Sequence, residues 1–125
     1  MQNQSVKPKT NLKDRSYAYA IRVINFIDTL PKDNATQVIA NQLLRSATSI
    51  GANIVEAKSS SSKRDFANFF SYSLKSANET IYWLGLLKDA KKVDDPEMGF
   101  LIDETEQIAK MLGASLLTLK GKREI

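Results

Sequence analysis

Arg45, Ser49 and Glu56 fall on one face of the segment Thr36–Lys58 when it is wound at about 100° per residue, and Lys75 and Glu79 stand one turn apart on the next segment. Side chains of these types, gathered in this way, suit one of two tasks. They can form a polar seam between two helices, with Arg45 paired to Glu79 or Glu56 and small serines letting the backbones come close. They can instead hold a phosphate or another ligand. The seam, which takes in Gln42, Arg45, Ser49, Asn53, Glu56, Lys75 and Glu79, is the preferred reading, because a charge pair between helices fixes their register more than it stabilises them.

Little else in the chain can carry catalysis. Cysteine and histidine are both absent. That removes disulfides, thiolate nucleophiles, zinc–thiolate sites, the commonest general base and the Glu-x-x-His pairs of di-iron bundles. Asp94, Asp95 and Glu97 could offer oxygen atoms to Mg²⁺, but the start of a helix explains them with fewer assumptions. Gly51 to Ile54 (GANI) lies inside a helical pattern and lacks the lysine and the preceding strand of a phosphate loop. Ser46 or Ser76 as a nucleophile would need a lysine base that nothing positions. The expectation is a protein with no catalytic residues, no metal and no cofactor.

Basic residues are the remaining chemistry. Arg22, Lys58, Lys63, Arg64, Lys88, Lys91 and Lys92 are candidates for contact with nucleic acid, and three of them (Lys58, Lys63 and Arg64) flank the serine run Ser59–Ser62. The formal charge of +4 is unevenly placed. Lys7, Lys9, Lys13 and Arg15 outweigh Asp14 at one terminus, and Lys120, Lys122 and Arg123 outweigh Glu124 at the other, so the body between is near neutral. Basic ends of this kind are solubilising tails or arms that meet a polyanion. No base-reading motif is present, so any such binding would be independent of sequence.

The elements that must position these residues are all helical. A polar lead-in over residues 1–11 is followed by a single domain over 12–120 and a basic tail over 121–125. A first helix fits Leu12 to Leu30, with Ala20, Val23, Ile24, Ile27 and Leu30 inward, and Pro31 stops it. Asn34, with Gln37 three residues on, resembles a capping box for the second helix. Its core stripe is Ile39, Leu43, Ala47, Ile50, Ile54 and Ala57, and beside it runs a second, weaker strip of Ala40, Leu44, Gly51 and Val55. Gly51 costs a helix roughly 1 kcal/mol relative to alanine, which a close helix approach or a slight kink would explain. The four serines make a hinge between antiparallel helices, and Ser62 with Asp65 opens the third.

The third helix runs from Lys63 to about Lys91, with Phe66, Phe70, Leu74, Ala77, Ile81, Leu84 and Leu87 inward. Phe69, Tyr72 and Trp83, with Ser76 between them, lie on another face. An aromatic face of this kind usually marks a contact surface, so these four residues are the candidate oligomer interface. Asp95-Pro96-Glu97 starts the fourth helix, whose inward residues are Leu101, Thr105, Ile108, Leu112, Leu116 and Leu119. Glu106 and Lys110 can pair at i, i+4, and Gly121 sits where a helix would end. The fold class is therefore all-α, an antiparallel up-down-up-down four-helix bundle. No apolar run is long enough to cross a membrane and the first residues lack a signal peptide's apolar segment, so a cytoplasmic protein is expected.

The central residues, in order, are Gln42, Arg45-Ser46, Ser49-Ile50, Asn53-Ile54 and Glu56, then Lys63, Asp65-Phe66, and Ser76 with Glu79. This ordered set resembles the small bacterial four helix bundle protein family, encoded in intervening sequences of large-subunit (23S) ribosomal RNA genes. That family is related to the accessory variability protein of diversity-generating retroelements. The chain departs from the pattern at Ala57-Lys58, where many members have a glycine. The resemblance, over roughly residues 15–115, implies a four-helix bundle assembled as a homopentameric, barrel-like ring with no known enzyme activity. For the retroelement relatives it implies binding of nucleic acid and of a reverse transcriptase through a basic surface.

Together these readings give a non-enzymatic homo-oligomer that acts as an adaptor with weak, sequence-independent affinity for RNA or DNA. The alternative is a protein-binding module whose aromatic helix face docks a partner protein, without nucleic-acid binding.

Overall fold

The computed structural model describes residues 11–124, which form four helices: α1 (Leu12–Ile27), α2 (Asn34–Lys58), α3 (Lys63–Ala90) and α4 (Pro96–Glu124). Among the described residues there is no strand. Each helix begins where a side-chain oxygen accepts an otherwise unpaired backbone N–H. Asn11 accepts from the Asp14 amide at 3.2 Å, Asp33 from Thr36 at 3.2 Å, Ser62 from Asp65 at 3.0 Å and Asp95 from Met98 at 3.0 Å. The third and fourth of these starts are those expected. The second moves by one residue, with Asp33 capping and Asn34 inside the helix, because Asp33 has the extended geometry of a cap (ψ 160°) and its side chain accepts from the Thr36 amide. Gln37 does not complete a capping box; its amide donates to the Pro31 carbonyl at 2.9 Å.

Two helix ends also differ from expectation. α1 closes at Ile27 rather than Leu30, and its last residues tighten into turns that pair Thr29 with Phe26 and Leu30 with Ile27. α4 continues through Gly121 to Glu124, so residues 121–124 extend the helix instead of leaving it as a tail. Glycine ends a helix when it takes the left-handed conformation, and no glycine in the described chain does so. That role falls instead to Lys92, at φ 61°, after which the Val93 amide returns to the Leu87 carbonyl at 3.2 Å. The lead-in expected over residues 1–11 lies outside the described residues except for Asn11.

The core follows the expected stripes in three helices and a shifted one in the first. α2 buries Leu43, Ala47, Ile50, Ile54 and Ala57, with Ile39 half-buried. α3 buries Phe70, Ala77, Leu84 and Leu87, and α4 buries Met98, Leu101, Thr105, Ile108 and Leu112. In α1 the inward residues are Ser16, Tyr19, Val23 and Phe26, continued by Leu30, while Ile24 is 44% exposed. The two candidate stripes overlap at Val23 and Leu30; the chosen one turns two aromatic rings inward, which removes more apolar surface from water than Ala20 and Ile24 would.

α2 and α3 pack antiparallel, as do α1 and α4. Ser73 of α3 donates to the Ile50 carbonyl of α2 at 2.8 Å, and one end further on Thr80 meets Ser46 at 2.9 Å. Arg15 and Arg22 of α1 meet Glu104 and Glu97 of α4 in reversed order. α1 lies against α2 and, less closely, α4; α1 and α3 stand diagonally, as do α2 and α4. The molecule is a four-helix bundle with one contiguous core.

At Gly51 α1 and α2 come close together. A Cβ there would stand 3.1 Å from the Ser16 hydroxyl oxygen, which is buried between the helices. The glycine is thus explained by proximity. Gly51→Ala alone should give little or no gain in urea unfolding, since contact with Ser16 offsets the better helix propensity. In a Ser16→Ala background the same change should recover about 1 kcal/mol. Equal effects in the two backgrounds would show that Ser16 is not the constraint.

Thr36 supplies a second test. Its hydroxyl is wholly buried and has no hydrogen-bond partner. Thr36→Val keeps the shape and removes the unpaired oxygen, and should stabilise the fold by roughly 1 kcal/mol. A lower melting temperature would show that the hydroxyl is satisfied in solution.

Candidate functional site

The expected polar seam exists, over a shorter length than the sequence suggested. Arg45 forms an ion pair with Glu79, and its guanidinium also donates to the Gln42 side-chain oxygen at 2.9 Å and 3.1 Å. Trp83 Nε1 donates to the same Glu79 carboxylate at 3.0 Å. Gln42, Arg45, Glu79 and Trp83 therefore make one chain of contacts from α2 to α3. Ser49 and Asn53 bond back to their own helix, to the carbonyls of Arg45 at 2.8 Å and of Ser49 at 2.9 Å. Glu56 stands about 16 Å along the helix from Arg45 and cannot be its partner, and among the described residues Lys75 pairs with no carboxylate. With side chains 56% and 35% exposed, the Arg45–Glu79 pair is a surface pair that contributes on the order of 0–1 kcal/mol.

A second, deeper seam runs beside it and was not singled out in the sequence. Ser46, which the helical wheel puts in the polar sector, is fully buried and meets Thr80, itself bonded to the Ser76 carbonyl at 2.8 Å. With Ser73 on the Ile50 carbonyl, these hydroxyls fill the α2–α3 contact with small groups whose polar atoms are paired.

The α1–α4 contact is polar in another way. Arg15 forks onto Glu104, with Nε–Oε2 at 2.6 Å and Nη2–Oε1 at 2.9 Å, and reaches Gln107 at 2.8 Å. Its side chain and that of Glu104 are only 19% and 14% exposed, and the hydrogen bonds to Glu104 raise the guanidinium pKa further. Tyr19 hydrogen-bonds Thr105 within the core, and burial pushes its phenol pKa upward. Arg22 forks onto Glu97 at 2.7 Å and 2.9 Å and lies 3.7 Å over the Phe100 ring. From the sequence Arg15 was counted only among the basic residues of the N-terminal end, and Glu104 was not picked out. Their types at positions 89 residues apart carry no local signal.

These pairings sort the candidate cations. Arg22 is committed to Glu97, and Lys91 to Asp33 at 3.0 Å. Lys88 and Lys92 are exposed at the same end of the bundle, which also holds Asp28, Asp33, Asp89, Asp94, Asp95 and Glu97. Lys58, Lys63 and Arg64 lie at the other end, about 40 Å away along α3. All three are exposed, and among the described residues none pairs with a carboxylate. Lys13 and Lys120 belong to that end too. The seven candidates are therefore two groups, and one group is largely neutralised by neighbouring acids. Among the described residues no cluster of acidic side chains has the spacing of a metal site. No helix of the described chain is long and apolar enough to cross a membrane.

Beneath Lys58 lies an open cavity of about 730 Å³ at the serine-turn end, floored by Leu12, Phe66, Phe70, Met111 and Leu119. Of the candidate interface residues, Phe69 and Trp83 are half-buried against the core and Ser76 is half-buried, so the bundle covers part of this face itself. Tyr72 is 49% exposed, edge-on to Phe69, and the neighbouring Tyr82 is exposed edge-on to Trp83. A second apolar surface lies on α1 and α2, where exposed Tyr17 and Val55 line a groove of about 340 Å³ with Ser16, Ala20, Thr48, Gly51 and Ala52, and Ile21, Ile24 and Leu44 are exposed on the same two helices. The weak strip read along α2 borders this groove; the α1 half of the surface was missed because Ile24 was assigned inward.

Residues 9–114 match the model of the 23S rRNA-intervening sequence protein family. The chain belongs to that family. A crystal structure of a protein of unknown function from the S23 ribosomal protein family of Bacteroides thetaiotaomicron VPI-5482 is similar to it, at 37% identity and a TM-score of 0.79. The match covers 85% of this chain and 98% of that one. No curated protein matches the sequence. The resemblance read from Gln42, Arg45-Ser46 and the residues after them is thus shown at the level of family and fold.

The end that holds Arg22 and Lys91 gives a pH prediction. Hydrogen bonds from Lys91 and from the Thr36 backbone amide hold the Asp33 carboxyl down to about 2, and Arg22 lowers that of Glu97. A carboxyl depressed in the folded state adds stability above its unfolded pKa of about 4 and loses that contribution as pH falls through its folded value. Asp33→Asn keeps a cap but not the charge. It should melt below the parent protein at pH 6, with the difference closing between about pH 4 and 2. A difference independent of pH would remove the ion pair from the account.

Proposed function

We propose that the protein is a non-enzymatic, homo-oligomeric adaptor in the cytoplasm that binds RNA or DNA through the serine-turn end without reading sequence. The observation that carries the assembly is the presence of two separate apolar surfaces on one small bundle: the α1–α2 groove and the Tyr72–Tyr82 flank of α3. Surfaces that differ from each other pair head to tail, and head-to-tail contacts that close make a ring. A pentamer is the ring that the family resemblance implies. Each copy would add its own Lys58, Lys63 and Arg64 to a shared rim, so that weak single contacts sum. RNA is the first polyanion to test, given the family's link to ribosomal RNA genes and the neighbour's attribution to a ribosomal protein family. A reverse transcriptase or another protein is a candidate partner on the same grounds of resemblance.

The exposed Tyr72 and Tyr82 also support a second reading, a module that docks a partner protein and leaves nucleic acid alone. Sedimentation at micromolar concentration and RNA titrations at two salt concentrations separate the two. The expected outcome is a defined oligomer, reduced to monomer by Ile24→Lys, with RNA affinity that falls steeply as salt rises. A monomeric parent protein would sink the assembly. An oligomer with no RNA affinity even at low salt leaves the docking module.

A further inference from the structure

The serine-turn end combines two features that a purely electrostatic contact does not need together. One is the cationic rim of Lys58, Lys63 and Arg64, which pair with no carboxylate among the described residues and, with Lys13 and Lys120 at the same end, outnumber the acids Asp14, Glu56 and Asp65 described there. The other is the cavity of about 730 Å³ directly under Lys58, within the range of sites that take small ligands. Phe66 and Phe70 stack there with ring centroids 4.6 Å apart and planes 30° apart; Phe70 is buried, and Phe66 is left half-exposed as the wall. Asn11, Ser115 and Thr118 supply amide and hydroxyl groups around the mouth.

Resting on the reading of this end as a polyanion contact, we propose that the cavity takes an unpaired base of a single strand. The base lies against Phe66, and Lys58, at the edge of the cavity, holds a flanking phosphate, while Lys63 and then Arg64, which lines a separate groove on α3, carry the strand onward. An aromatic wall beside a cationic track is the arrangement that binds single strands without sequence preference, since every base has a face to stack and every linkage a charge. A duplex can use the cations but not the wall, because its bases are already stacked and unpairing them costs energy. An acyl chain fits less well: the cavity is open along one side and would leave such a chain in water, beside amide and hydroxyl groups it cannot pair.

The test uses the full chain and a single-stranded oligothymidylate carrying one 2-aminopurine, whose fluorescence falls when it stacks, against a duplex containing the same strand. The single strand should bind more tightly at low salt, with quenching. Phe66→Leu should weaken it roughly tenfold and restore fluorescence while leaving duplex binding unchanged. Thr118→Trp fills the mouth from an exposed position without removing a core side chain, and should give the same selective loss should Phe66→Leu fold poorly. Lys63→Gln should weaken both forms. Equal affinity for single strand and duplex, untouched by either cavity variant, overturns the inference and leaves the polyanion reading standing. Binding of neither form at low salt overturns that reading, and the inference falls with it.

Discussion

The close contact between α2 and α3 is the constraint on which the other packing depends. Two helices of 25 and 28 residues lie side by side with Ser46, Ala47, Ser73, Ala77 and Thr80 between them. Small side chains bring the backbones together, but serine and threonine there carry a cost unless each hydroxyl has a partner in the dry interface. Here the Ile50 and Ser76 carbonyls and the Ser46–Thr80 contact provide those partners. The two bonds that cross between the helices, Ser73 to the Ile50 carbonyl and Thr80 to Ser46, also fix the register: sliding α3 by one turn would break both at once. The outer Arg45–Glu79 pair then sits on a register already set by buried groups, which fits its high exposure and small expected contribution.

α1 is attached by different means. It lies less closely against α4 than against α2, and a ladder of Arg15 on Glu104, Tyr19 on Thr105 and Arg22 on Glu97 joins it to α4. Charge pairs of this kind specify where a helix sits more than how strongly it is held. The largely buried Arg15–Glu104 fork makes the strictest demand, since losing one partner would leave the other short of water and of its ion. On its other side α1 meets α2 at Gly51, the one place where a missing side chain sets a helix distance. α1 therefore buries Tyr19, Val23 and Phe26 in the shared core and has its place set by one steric and three polar contacts, while its outward Tyr17, Ile21 and Ile24 stay uncovered.

This division accounts for what the sequence disclosed. Helix number, three of the core stripes, the Ser62 and Asp95 caps and the family were legible, because each depends on residues within a turn or two of one another. The Arg45–Glu79 pairing was legible as one of two options, and only the third dimension removes Glu56. Ser46 was misplaced because a helical wheel ranks serine as polar surface, whereas its partner Thr80 lies 34 residues away. Arg15, Glu104 and the cavity under Lys58 left no local trace at all. Ile24 was misassigned for a plainer reason: two stripes of similar hydrophobicity overlap in α1, and the neighbours of a helix, not its own spacing, decide between them.

The cations show why counting charge along a chain says little about binding. Residues 63 and 92 both belong to basic clusters in the sequence, yet they sit at opposite ends of a long helix. At the Lys92 end the acids of two helix starts, Asp33, Asp95 and Glu97, are already required as caps and as partners for Lys91 and Arg22. The positive ends of α2 and α4 draw these carboxylates there. At the other end α2 closes with Lys58 and Lys120 lies near the end of α4, where basic side chains suit the negative ends of the helices. α3 does start there, with Asp65 in its first turn, but α1 and α3 together bring fewer acids than the lysines and arginine around them. The capping chemistry that folds the bundle therefore neutralises one end and leaves the other positive, so the polarity of the molecule follows from the same preferences that start and stop its helices.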